Sequence, residues 1–167
     1  MNIIGVIGAG HCDEKTYRLA MTVGRGIAEH KCILICGGLG GVMEGVARGA
    51  KEAGGLTVGI LPGFSPEDAN PYIDIPIVTW PRTCPQCHHC SHRCCVNCYF
   101  MAVMAPSLKL PLPLKMDKPV IGLNTWPNFE KIQYVSTPQE AVNKAISLLP
   151  PSSNRSQYGC RNGGFCP

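Results

Sequence analysis

The chain has 167 residues, 45% of them hydrophobic and 16% charged, with a formal net charge of +4. That length suits one ordinary core and is short for two, and so mild a balance, without a basic run, argues against nucleic acid as a partner. Residues 1–7 lack a basic start and a long apolar stretch, and glycines and charges interrupt every apolar run before membrane-spanning length. A cytoplasmic protein with no membrane partner is expected.

Residues 2–7 (NIIGVI) read as a short buried strand closed by Gly8-Ala9-Gly10. Asp13 then caps a helix whose apolar face is Tyr17, Ala20, Met21, Gly24, Ile27 and Ala28. The second unit repeats this plan in stronger form. Residues 33–36 (ILIC) are apolar without alternation, the mark of a strand buried on both faces, and run into Gly37, Gly38, Gly40 and Gly41. Val42, Met43, Val46, Ala47 and Ala50 then recur at helical spacing, with Glu44 early and Arg48 and Lys51 late, as the helix dipole favours. Glycines between a buried strand and a helix N-terminus let backbone N–H groups approach a ligand without side chains in the way, which is anion-binding chemistry, most often for phosphate. The plainer alternative is a tight turn and nothing more.

Gly54-Gly55 ends the second helix, residues 56–61 (LTVGIL) read as a third strand, and residues 74–79 (DIPIVT) as a fourth, which Pro76 assigns to an edge or strand end. Strands alternating with helices predict a parallel sheet with right-handed crossovers. Residues 119–123 (PVIGL) resume the strand pattern. Thr137-Pro138-Gln139-Glu140 is a capping box for a last helix with Ala141, Val142, Ala145, Ile146, Leu148 and Leu149 on its apolar face. Residues 150–167 have no periodicity and read as a disordered tail, leaving residues 1–149 as a single α/β domain.

The runs GVIGAGHCDEKTYRLA, CGGLGGVMEGVARGAKEAGGLTVGILPG, NPYIDIPIVT and KPVIGLNTW resemble the small Rossmann-type family related to the Lonely Guy cytokinin-activating proteins, nearest to the branch that includes molybdenum cofactor carriers. The resemblance covers residues 1–79 and 118–149. It implies a doubly wound parallel sheet in a homodimer or higher homo-oligomer, with a phosphate-bearing ligand at the C-terminal ends of the strands. Carried over by position, Gly8, Ala9, Gly10, Gly37, Gly38, Gly40 and Gly41 line that site.

The family's second signature, a GGxGTxxE loop and helix preceded by an arginine-bearing helix, belongs between Thr79 and Lys118 and is not there. Residues 80–116 hold no Asp or Glu, so the carboxylate of the family's hydrolases has no candidate in them and no catalytic residue is assigned. Taken at face value, Cys84, Cys87, Cys90, Cys95 and Cys98 with His92 have the ligand types and spacing of a zinc or iron–sulfur module. Against this, the flanks on both sides read as complete Rossmann pieces, and Pro106, Pro111 and Pro113 forbid the expected helix. The remaining reading is a shifted frame. Cysteine codons are TGY and histidine codons CAY; read one base onward, the first give Ala or Val and the second Ile or Thr. Residues 84–93 can then be re-read A-R-N-V-I-I-V-R-T-A, and residues 101–115, shifted by two bases, G-G-Y-G-T-L-S-E-I-A-L-A-L-K, which restores the missing signature with its glutamate. We expect this reading, and therefore a disrupted central segment.

Two functions compete for the intact parts. One is a nucleoside 5′-monophosphate phosphoribohydrolase, inactive as written; the other is a binding protein for a nucleotide or for the molybdenum cofactor, with no chemistry. A zinc-binding module on the cysteine cluster is a third. Cys12, Cys32 and Cys36 read as small apolar residues in a reducing cytosol, His11 as a solvated loop residue, Arg48 and Lys51 as exposed charges, and Glu44 as a stabiliser of its own helix N-terminus.

Overall fold

The computed structural model describes residues 1–63, 65–79, 99–103, 119–123 and 132–149. The six candidate metal ligands Cys84, Cys87, Cys90, His92, Cys95 and Cys98, most of the segment 80–116 expected to be disrupted, and the tail 150–167 lie outside the described residues.

In chain order the described elements are β1 (Ile3–Ile7), α1 (Glu14–Glu29), β2 (Ile33–Cys36), α2 (Val42–Glu52), β3 (Thr57–Pro62), a 3-10 turn at Pro66–Asp68, β4 (Ile75–Thr79), β5 (Tyr99–Val103), β6 (Val120–Leu123), β7 (Ile132–Val135) and α3 (Pro138–Ser147). They form one sheet in the order β4-β3-β2-β1-β5-β6-β7, and every pairing is parallel. The fold is therefore the expected α/β class, an open parallel sheet in a single domain. Strands are added in one direction from β1 to β4 and in the other from β5 to β7, so the topological switch falls between β1 and β5. Pro76 sits on the edge strand β4, where a missing N–H breaks no ladder.

Two strands go beyond the expected set. β5 occupies the sheet centre within the segment expected to be disrupted, and β7 forms the edge opposite β4. The helix ends follow their capping chemistry: the Asp13 carboxylate accepts from the Thr16 N–H at 3.0 Å, and Thr137 and Glu140 form a reciprocal capping box.

The core lies on one face of the sheet. Ile4 and Val6 of β1, Leu34 and Cys36 of β2, and Ile121 and Leu123 of β6 meet Val23 and Ile27 of α1, Val42 and Val46 of α2, and Val142 of α3, all buried. α1 and α2 touch backbone to backbone, because a Cβ on Gly24 would overlap the Val46 carbonyl oxygen and one on Gly49 that of Met21. This close crossing is what brings the N-termini of the two helices side by side.

The other face is different. Ile35 and Val58 are buried there beside Ile3 and Ile33, while the register aligns Val58 with Ile75 and Ile60 with Ile77 at the β3–β4 edge. Ile60, Ile75 and Ile77 are 37%, 45% and 46% exposed. All three described helices pack on the opposite side.

Candidate functional site

At the C-terminal ends of the adjacent strands β1 and β2 the chain leaves the sheet in two glycine loops, each leading into a helix N-terminus. The loops are locked together. The Val42 N–H, at the start of α2, donates to the Ala9 carbonyl of the first loop at 3.0 Å. Gly41 has φ 65° and ψ −129°, a backbone region that L side chains avoid. A Cβ there would stand 2.5 Å from both the Ala9 oxygen and the Gly10 carbonyl carbon, and one on Gly40 would stand 3.4 Å from the Gly10 oxygen. Ala9, Gly10, Gly40 and Gly41 are thus brought into contact, with Gly8 buried at the end of β1 and Gly37 at the end of β2.

Met43 fills the space the glycines leave. Its sulfur lies 2.5 Å from where a Gly37 Cβ would be and its terminal methyl 3.9 Å from that of Gly10, so it lies against both loops. The sequence assigns Met43 only to the apolar face of α2. Gly38, at φ 71°, lies against Leu61 and Gly59 of β3.

Asn70 supports the second loop from outside. Its backbone N–H donates to the Gly38 carbonyl at 2.8 Å, its side-chain Nδ2 to the Leu39 carbonyl at 2.9 Å, and its Oδ1 accepts from the Tyr72 N–H at 3.1 Å. Asn70 is only 9% exposed, so its side-chain polar atoms are held by partners rather than by water. The segment that carries it is anchored in turn: the Asp74 carboxylate accepts from the Thr57 N–H and hydroxyl, both at 3.0 Å, and pairs with Lys51. Lys51 is an exposed charge, as read, and it carries this surface ion pair.

Arg48 departs from that reading. Its guanidinium lies 5.8 Å from the centre of the Tyr72 ring and its Nε 2.9 Å from Glu52. Glu44 accepts a hydrogen bond from the Tyr17 hydroxyl at 3.2 Å, tying α2 to α1, and its other oxygen is 3.9 Å from the Cβ position of Gly40. So it borders the loop, and as an acidic residue in the first turn of α2 it suits the helix dipole without making a capping hydrogen bond. Burial, and then the charges of Asp13, Glu44 and Glu14, push the Cys12 thiol up. Burial does the same to Cys32 and Cys36, which leaves the three as protonated thiols. An anion here meets carboxylates nearby, so backbone amides and helix dipoles must supply the attraction. Among the described residues no three His, Cys, Asp or Glu side chains gather as a metal site, and no helix is long and apolar enough to cross a membrane.

An open parallel sheet with paired glycine loops beside its switch point defines a Rossmann-like ligand-binding class. Within it, the model of the SLOG cluster4 family matches residues 1–85. A protein of unknown function from Archaeoglobus fulgidus is 42% identical over 147 residues, covering 86% of this chain and 94% of its own. The chain belongs to the SLOG cluster4 family. Among solved structures, it is similar to the molybdenum cofactor carrier protein of Chlamydomonas reinhardtii, with 32% identity, a TM-score of 0.72 and coverage of 88% of this chain and 97% of that one. It is also similar to the molybdenum cofactor binding protein of Rippkaea orientalis, with 29% identity, a TM-score of 0.74 and coverage of 88% and 96%.

Proposed function

We propose that this protein binds a phosphate-bearing ligand in the loops Gly8–Gly10 and Gly37–Gly41, and that the ligand is a cofactor of the molybdenum cofactor class. The observation that carries the reading is the hydrogen bond from Val42 to Ala9, which ties the N-terminus of α2 to the glycine loop that leads into α1. The similarity to the Chlamydomonas and Rippkaea proteins supports a binding role over the phosphoribohydrolase of the Lonely Guy type, and the tying of Glu44 to Tyr17 leaves it poorly free for acid–base work. The test is incubation with AMP and, separately, titration with molybdenum cofactor. Retention of the cofactor without release of adenine from AMP supports a carrier; release of adenine establishes the hydrolase.

We also propose that the segment 80–116 is read out of frame, and that the domain spans 1–149 and forms a homodimer or larger assembly once the frame is restored. Two observations support the re-reading. The family match stops at residue 85, where the cysteine segment begins. The apolar face of Ile35, Val58, Ile60 and Ile77 has no described helix against it. Re-read protein should unfold cooperatively, sediment as a dimer or larger, and bind no zinc; the chain as printed should hold zinc only weakly and below stoichiometry. Tight stoichiometric zinc in the printed chain, purified without added metal, would overturn the re-reading.

A further inference from the structure

An anion-binding loop works only if its amides, and not its carbonyls, face the ligand. In a planar trans peptide the C=O of one residue and the N–H of the next point in opposite directions. Asn70 takes the carbonyls of Gly38 and Leu39, one with its backbone N–H and one with its side chain, at 2.8 and 2.9 Å. The N–H groups of Leu39 and Gly40 therefore point away from Asn70. Among the described residues neither has a hydrogen-bond acceptor. The amide of Asn70 is oriented without ambiguity, since Tyr72 offers its Oδ1 an N–H and Leu39 offers its Nδ2 a carbonyl.

We propose that Asn70 is a positioning residue that sets the polarity of the second glycine loop, turning the amides of Leu39 and Gly40 toward the phosphate group of the ligand. The inference rests on the phosphate-site reading of that loop. Glycines flank both peptides, and without a partner for their carbonyls either peptide is free to rotate and present oxygen to the anion. Aspartate has the same shape but cannot donate to the Leu39 carbonyl, and it adds a charge that repels phosphate.

The experiment uses the full chain, both as printed and with the re-read segment, labelled with nitrogen-15 and titrated with AMP, with inorganic phosphate and with adenosine. The Leu39 and Gly40 amide resonances should move with AMP and phosphate and stay fixed with adenosine. Asn70→Ala should weaken AMP about ten-fold and Asn70→Asp more, with adenosine unchanged; a merely structural role would alter melting without altering this selectivity. Two results overturn the assignment to Asn70 while leaving the loops as the site: AMP shifts confined to other loop amides, or variants that bind AMP as the parent does. The absence of any AMP or phosphate shift in either loop of the unaltered chains overturns the site, and the role of Asn70 with it. The shifts of the unaltered chain decide the matter even where a variant fails to fold.

Discussion

Replacing Gly41 by alanine should separate the two loops. The conformation at φ 65° and ψ −129° costs a non-glycine residue about 1–3 kcal/mol. The new methyl would also lie 2.5 Å from the Ala9 oxygen and the Gly10 carbonyl carbon, backbone atoms that cannot rotate away. The loops must part, and the hydrogen bond from Val42 to Ala9 goes with them, for about 1 kcal/mol more. The sum, about 3 kcal/mol, corresponds to a fall in Tm of about 6–12 °C for a chain of this size. Gly54 provides the control. It has φ 74°, but no atom lies within 4 Å of its Cβ position, so Gly54→Ala meets backbone strain alone, about 1 kcal/mol and a fall in Tm of about 2–4 °C. Circular dichroism melts of both variants, with AMP titrations beside them, make the comparison. Equal melting losses, or AMP affinity retained in Gly41→Ala, would refute the claim that contact between the loops builds the site.

The Asp74 carboxyl is raised by burial but lowered more by Lys51 and by the hydrogen bonds from Thr57, so its folded pKa lies below the ordinary carboxylate value. Its contribution is present above the unfolded pKa of about 3.9 and is lost as pH falls toward the folded value. Asp74→Asn should therefore destabilise by about 1 kcal/mol at pH 7 and by little at pH ~2, and melts of equal deficit at both pH values would contradict this. Glu44→Gln keeps an acceptor for Tyr17 and removes a charge beside Gly40, so AMP should bind about three-fold more tightly; calorimetry showing weaker binding would place Glu44 on the ligand as a needed partner. Thr137→Ala removes half of the capping box and should cost about 1 kcal/mol by urea unfolding, with AMP affinity unchanged.

The first half of the molecule was legible because its signals are local. β1 and β2 are unbroken apolar runs ending in glycine, and each helix carries its cap and its period within one turn of the chain. β7 was not legible: Ile132–Val135 has four residues, with Gln133 and Tyr134 exposed, which is too short a pattern to register. β5 was hidden by context, since the apolar run Tyr99–Val103 stands between a cysteine cluster and a proline series. Glycine positions marked the two loops that we propose as the site, because the need for backbone approach is written into residue type. Asn70 left no such mark; its side chain meets Leu39, 31 residues away, and only the fold brings them together. The one local hint was its place before Pro71, which signals a turn but not what the turn supports.

The central claim is that the two glycine loops hold the phosphate of a ligand, and a crystal structure of the protein grown with molybdenum cofactor or AMP tests it most directly. The account predicts phosphate oxygens against the amides of Gly37 to Gly41 and the turn at Gly8 to Gly10. A ligand seated instead at the far edge of the sheet, in the shallow depression formed by Tyr134, Ser136, Glu140 and Lys144, with both loops bare, would contradict it.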